Sequence, residues 1–102
     1  MKKAIQIDEG DNVATVTSDV EGGEVVEVLS PDGDVICSPR VLSSVPFGHK
    51  IALVDLVEGD EVVKYGEVIG LASAAIEVGG WVHVGNVESA RVPTSGFGVY
   101  GP

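Results

Sequence analysis

The sequence predicts a small, mostly β fold with at most one or two short helical turns, and three observations carry that prediction. Valine dominates a hydrophobic fraction of 44%, and aromatics are only 5% of the chain, so the core is built from branched and small aliphatic side chains that suit a pleated surface. Fourteen glycines and five prolines are spread along the chain and leave little room for a long helix. A seven-residue glycine corner recurs. With 102 residues the chain makes one domain, near the lower end of the size at which a single core is self-sufficient. We place that domain at residues 1–92, followed by a flexible, Gly/Pro-rich tail at 93–102.

Residues 1–7 read as a short extended segment with a peripheral role, closed by the polar turn Asp8-Glu9-Gly10-Asp11. Residues 12–17 alternate as a half-buried strand does, with Val13, Thr15 and Thr17 on one face and Ala14 and Val16 on the other. The first corner is Asp19-Val20-Glu21-Gly22-Gly23-Glu24-Val25, and Val26-Glu27-Val28-Leu29 continues it as a strand. Leu56-Val57-Glu58-Gly59-Asp60-Glu61-Val62 and Ile76-Glu77-Val78-Gly79-Gly80-Trp81-Val82 repeat the pattern. Glycine at the fourth place permits positive φ, and valine at the seventh begins the next strand. Unequal spacing between the copies excludes a solenoid.

Ser30-Pro31-Asp32-Gly33-Asp34 predicts a hairpin from which Val35-Ile36-Cys37 returns, while Pro39 and Pro46 exclude a helix across the stretch that follows. Ile51-Ala52-Leu53-Val54 reads as a strand buried on both faces. Residues 71–76 alone have helix-favouring composition, enough for a turn or two. Trp81-Val82-His83-Val84 alternates as a strand that ends at Gly85-Asn86. In the tail, Phe97, Val99 and Tyr100 are apolar groups suited to docking on a partner.

Sixteen acidic against six basic residues give a formal charge of −10, which opposes nucleic-acid binding and suits solubility, including in a salty cytoplasm. A lone cysteine, Cys37, forms no internal disulfide and has too few companions for structural zinc. No membrane span or signal peptide is evident, so a cytoplasmic location is expected. Phosphate-cradling loops and nucleophile triads are absent as well. His49 and His83 each lie beside a glycine-marked turn and are expected to reach one rim, where two imidazoles make an incomplete metal site. Lys50 and Lys64 stand out in so acidic a chain, and Lys64-Tyr65-Gly66 sets an ammonium and a phenol where a carboxylate and hydroxyls are held.

Asp11-Asn12-Val13-Ala14, Gly48-His49-Lys50-Ile51-Ala52-Leu53, the segment Val62-Val63-Lys64-Tyr65-Gly66-Glu67-Val68-Ile69-Gly70 and Trp81-Val82-His83-Val84-Gly85-Asn86 resemble, in order and spacing, the N-terminal domain of the altronate and galactarate dehydratases. The sulfolactate sulfo-lyase small subunit is similar. The resemblance covers about residues 10–92 and implies a compact SAF-type domain with a β-clip fold, related to antifreeze-like modules. It also implies a hydro-lyase that dehydrates sugar acids with a divalent metal such as iron or manganese, a large catalytic subunit as partner, and a small anionic sugar acid as ligand. Carried over by position, His49, Lys50, Lys64, Tyr65, His83 and Asn86 line the substrate-facing end, with His49 and His83 as the candidates for metal contact. Gly85 stands where the family often has a second histidine, so this chain lacks one polar contact or ligand there. The start at Met1 and the short length lead us to expect a separately encoded small subunit, inactive alone.

Two alternatives stay open. One is a noncatalytic sugar-binding or assembly module, including a homo-oligomer. The other is a lipoyl or biotinyl carrier, whose acceptor turn residues 57–66 mimic, although no lysine follows Lys64 to serve as acceptor.

Overall fold

The computed structural model describes residues 1–89. The predicted tail at 93–102 lies outside them. Nine strands run in order as β1 (Lys2–Ile5), β2 (Val13–Val16), β3 (Val26–Leu29), β4 (Val35–Cys37), β5 (Lys50–Ala52), β6 (Glu61–Lys64), β7 (Glu67–Ala72), β8 (Trp81–Val82) and β9 (Val87–Glu88). Six of them form one sheet in the order β4-β3-β1-β2-β5-β8, and a second sheet has the order β6-β7-β9. All pairings are antiparallel except β1 with β3. This is a β-clip domain, and it departs from the sequence reading at several elements, among them β1, residues 71–76, residues 51–54 and β8, which ends at Val82 and leaves Val84 exposed.

The first is β1, which lies inside the sheet between β3 and β2 with Ala4 fully buried, so the N-terminal segment is not peripheral. The second is the helix-favouring stretch at 71–76. No helix occurs among the described residues: Leu71 and Ala72 complete β7, and Ile76 bridges Leu56 in antiparallel fashion. None is therefore long and apolar enough to cross a membrane. The third is the apolar run at 51–54, where only Ile51 and Ala52 are buried strand residues and Val54 is exposed.

The glycine corner occurs four times. Its form is a buried apolar residue, a positive-φ glycine three places on, and a second buried apolar residue three places further: Val20, Gly23, Val26; Val45, Gly48, Ile51; Leu56, Gly59, Val62; Ile76, Gly79, Val82. In the first copy the reversing residue is therefore Gly23, one place after the glycine the sequence pattern chose. The same backbone bond closes each turn, from Glu24 N–H to Glu21 O, His49 to Pro46, Asp60 to Val57 and Gly80 to Glu77, at 2.8–3.0 Å. Positive φ at the third residue of such a turn is the type II geometry that glycine adopts without steric cost.

Corners meet in pairs: Val20 bridges Val45, and Leu56 bridges Ile76. A carboxylate locks each pair in the same way. Asp19 Oδ1 accepts the Phe47 N–H at 2.8 Å, and Asp55 Oδ1 accepts the Val78 N–H at 3.0 Å.

Burying the leading residues of these corners, Val20, Val45, Leu56 and Ile76, contributes about 1.5–3 kcal/mol each, and the interior is divided in two. One cluster contains Ala4, Ala14, Val16, Val20, Val26, Val28, Val41, Val45 and Ile51, and the other Val13, Ala52, Leu56, Val62, Ala72, Ile76 and Val82. Strand β2 separates them. Ala14 and Val16 pack into the first and Val13 into the second, so a strand expected to be half-buried is covered on both faces.

Candidate functional site

The 45–51 corner and the edge strand β8 bring His49, Trp81 and His83 into one aromatic row. The His49 and Trp81 ring centroids are 5.5 Å apart at 64°, and those of Trp81 and His83 are 4.4 Å apart at 41°. The indole Nε1–H donates to His49 Nδ1 at 3.3 Å, and the Gly85 N–H donates to His83 Nδ1 at 3.0 Å. Trp81 thus organises both imidazoles, a role the sequence reading did not give it. Its signal was present in the sequence as the single tryptophan two residues before His83.

Asn86 closes the loop that carries His83. Its Oδ1 accepts the His83 N–H at 2.9 Å, and its Nδ2 donates to Trp81 O at 2.8 Å, so both ends of the amide are engaged with backbone. The residue positions His83 through these bonds. Both are 2.9 Å or shorter and tie the end of β8 to the turn after it.

Lys50 pairs across the sheet with Thr15 on one side and Val82 on the other. Successive strand residues point to opposite faces, so Lys50 departs from the side on which Ile51 and its neighbours form the first core. It lines a cavity of about 230 Å³ together with His83, Ile69, Val82, Val84, Val87, Glu88 and Ser89. Partial burial lowers the Lys50 pKa, and the nearby Lys64 ammonium lowers it further. Lys64 and Tyr65 line a neighbouring cavity of about 440 Å³ with Thr15, Thr17 and Phe47, and the Lys64 ammonium sits 5.0 Å from the centre of the Tyr65 ring. The six expected site residues are thereby divided: Lys50 with His83, Lys64 with Tyr65, His49 in the aromatic row, and Asn86 beneath it.

A clamp from the other end of the chain fixes the Lys64–Tyr65 tip. Asp11 is buried, and its carboxylate accepts the Tyr65 N–H at 3.1 Å, the Gly66 N–H at 2.8 Å and the Asp8 N–H at 3.0 Å. Asn12 pairs with the β6 backbone through Val63 N–H and Glu61 O, at 2.8 and 2.9 Å. Tyr65 and Gly66 both have positive φ, 58° and 72°, the form of a two-residue hairpin turn. Tyr65 is the only non-glycine residue with positive φ among the described residues. The charge-assisted bonds of Asp11 offset that strain.

Two further facts bear on ligand chemistry. Among the described residues no three His, Cys, Asp or Glu side chains gather closely enough to hold a metal ion, so the donor set does not fit the divalent metal that the resemblance implies. Lys2 is ion-paired with Glu24 and Lys3 with Glu27, whereas Lys50 and Lys64 have no ion pair among the described residues.

These features define a small all-β clip domain that carries half-buried Lys50, Lys64 and His83 and an exposed His49. The chain belongs to the altronate/galactarate dehydratase SAF domain family, which matches residues 2–90. It is 35% identical over 89 residues to galactarate dehydratase (L-threo-forming) of Escherichia coli (strain K12), covering 87% of this chain and 16% of that protein. It is 37% identical over 89 residues to altronate dehydratase of Bacillus subtilis (strain 168), covering 87% and 17%. Against the (2R)-sulfolactate sulfo-lyase subunit alpha of Chromohalobacter salexigens the identity is 37% over 76 residues, or 74% of this chain and 81% of that subunit. The chain thus spans about a sixth of the two dehydratases and most of the sulfo-lyase subunit.

Proposed function

We propose that this domain is the small component of a lyase acting on 2-hydroxy carboxylates, where it holds the anionic end of the substrate beside a larger catalytic chain. The acids named for its relatives, galactarate, altronate and sulfolactate, share a carboxylate next to a hydroxylated carbon. Eliminating water or sulfite from such an acid removes the proton beside the carboxylate and expels the group on the next carbon. Negative charge then builds on the carboxylate side, which fixed cationic and N–H donors stabilise.

One observation carries the reading. A chain of formal charge −10 leaves Lys50 and Lys64 without ion pairs among the described residues, and Lys50, whose pKa is lowered by burial first and by Lys64 second, lines a cavity with an imidazole. An anionic ligand offsets the cost of that half-buried positive charge. At about 230 Å³ the cavity lies below the ~300–1,000 Å³ usual for ligand pockets, which suits one end of a small acid and a partner surface that completes the enclosure. Any divalent metal belongs, in this reading, to the partner.

Co-expression with a large dehydratase or sulfo-lyase chain provides the test. The expected outcome is a stoichiometric complex that turns over galactarate, altronate or sulfolactate, and that loses most of its kcat/KM when Lys50 is replaced by methionine. A complex whose kcat/KM is unchanged by Lys50→Met would reject the assigned role, and failure to bind any such partner would reject the small-component reading.

A further inference from the structure

We infer that His83 and His49 present Nε2–H as hydrogen-bond donors to an acceptor oxygen, and that neither is a metal ligand in this arrangement. The inference deepens the proposed anion site, and rests on that reading only for the identity of the acceptor.

The bonding partners decide the ring chemistry. A neutral imidazole carries one proton, and the nitrogen without it is the acceptor. An indole N–H and a backbone N–H can only donate. Trp81 Nε1–H aimed at His49 Nδ1, and Gly85 N–H aimed at His83 Nδ1, therefore place the ring proton of each histidine on Nε2. Flipping the His83 ring would set a carbon against the Gly85 N–H and leave that donor unpaired. Metal ligation through Nε2 needs the opposite tautomer, with the proton on Nδ1 donating to a carboxylate or carbonyl. Here Nδ1 faces a donor in both residues, and Nε2 makes no hydrogen bond among the described residues.

Gly85 is the positioning residue for this state. A Cβ at 85 would lie 2.6 Å from His83 Cε1 and 2.9 Å from Nδ1, so any side chain there displaces the ring from its bond and from Trp81. His83 shares its cavity with the Lys50 ammonium, which makes the pair a donor set for a carboxylate or enolate oxygen.

The test is long-range ¹H–¹⁵N correlation on the full chain with labelled histidine, at about pH 9, well above the ordinary imidazole range. Both residues should show a pyridine-type Nδ1 and a pyrrole-type Nε2. In Gly85→Ala, His83 should move toward a mixed tautomer while His49 keeps its pattern, and stoichiometric Zn²⁺ added to the wild type in a separate sample near pH 7, where the ion stays in solution, should leave both Nε2 resonances in place. An Nδ1–H pattern in the wild type, or a one-to-one shift of His83 Nε2 by Zn²⁺, would overturn the inference. Should the alanine variant fail to fold, the wild-type spectra decide alone. No partner or substrate is needed, so a lyase reading that fails leaves this result intact, and the reverse holds as well.

Discussion

Asp11 supports the site without touching it. Its carboxylate is the acceptor for three backbone N–H groups, two of them 54 and 55 residues away at the tip that carries Lys64 and Tyr65. Replacing it with alanine removes three charge-assisted bonds in a part-buried setting, each worth about 1 kcal/mol or more, so Asp11→Ala should lose about 3 kcal/mol in urea unfolding. A loss under about 1 kcal/mol, the worth of one ordinary hydrogen bond, would show that the clamp is redundant. Tyr65 bears the strain that the clamp offsets. Asparagine tolerates positive φ better, so Tyr65→Asn should raise stability by about 0.5–1 kcal/mol while weakening whatever the phenol holds. Lys50 has the opposite economy, because its pKa is lowered in the fold by burial and then by Lys64. A lysine whose folded pKa lies below the unfolded value is penalised while protonated, and the penalty disappears as pH rises to the unfolded value, about 10.4. Lys50→Met should therefore gain stability at neutral pH, with the gain shrinking toward alkaline pH. A gain that does not shrink in paired urea titrations would trace it to packing alone.

The corners make a sharper comparison because four copies of one turn sit in different surroundings. A Cβ at Gly59 meets nothing within 4 Å, whereas one at Gly79 falls 2.2 Å from the Arg40 carbonyl oxygen. Both glycines have positive φ, 95° and 85°. Gly59→Ala should then cost only the conformational term of about 1–2 kcal/mol, and Gly79→Ala that term plus a backbone clash that unfolds much of the protein. Similar thermal midpoints for the two variants would contradict this. Three of the corners were legible in the sequence because valine and glycine recur at fixed spacing. The fourth was hidden because Pro46 and Phe47 leave it without the glutamate that the others carry at the second or third place (Glu21, Glu58, Glu77), and because it ends in Ile51 where the others end in valine. Residues 71–76 misled for another reason: alanine content describes local preference, whereas Gly70 and Ala72 are buried under β9, where Gly70 has no space for a Cβ beside Val87. Long-range pairing won over propensity. Residues 49, 50, 64 and 83 could be singled out by scarcity of charge and imidazole, but their grouping could not. His49 and Lys50 are neighbours in sequence and contribute to different surfaces of the same strand end. Asp11 was marked only as part of a recurring segment, and its clamp on Tyr65 and Gly66 could not be read because the partners lie 54 and 55 residues away.

Charge sets the behaviour of the molecule as a whole. Sixteen carboxylates face six cationic side chains, and the described residues contain only two ion pairs, both at the surface. In each pair the carboxylate pKa is lowered, for Glu24 by the Glu21 backbone first and Lys2 second, and for Glu27 by Lys3. Screening weakens these attractions along with the repulsions among the surplus carboxylates, and the repulsions are the more numerous. They also act over longer distances, where salt has the larger effect, since the screening length falls from about 30 Å at 0.01 M to about 3 Å at 1 M. Added salt should therefore raise the melting midpoint of the full chain, most steeply at the low end of the range. Sodium, potassium and choline chlorides should act alike at equal ionic strength, because screening depends on ionic strength and not on the identity of the cation. A midpoint that falls with salt would mean that the ion pairs of Lys2 and Lys3 outweigh the surplus. A rise given by one cation alone would mean that the carboxylates bind that ion at a site, and that net repulsion is not what limits the fold.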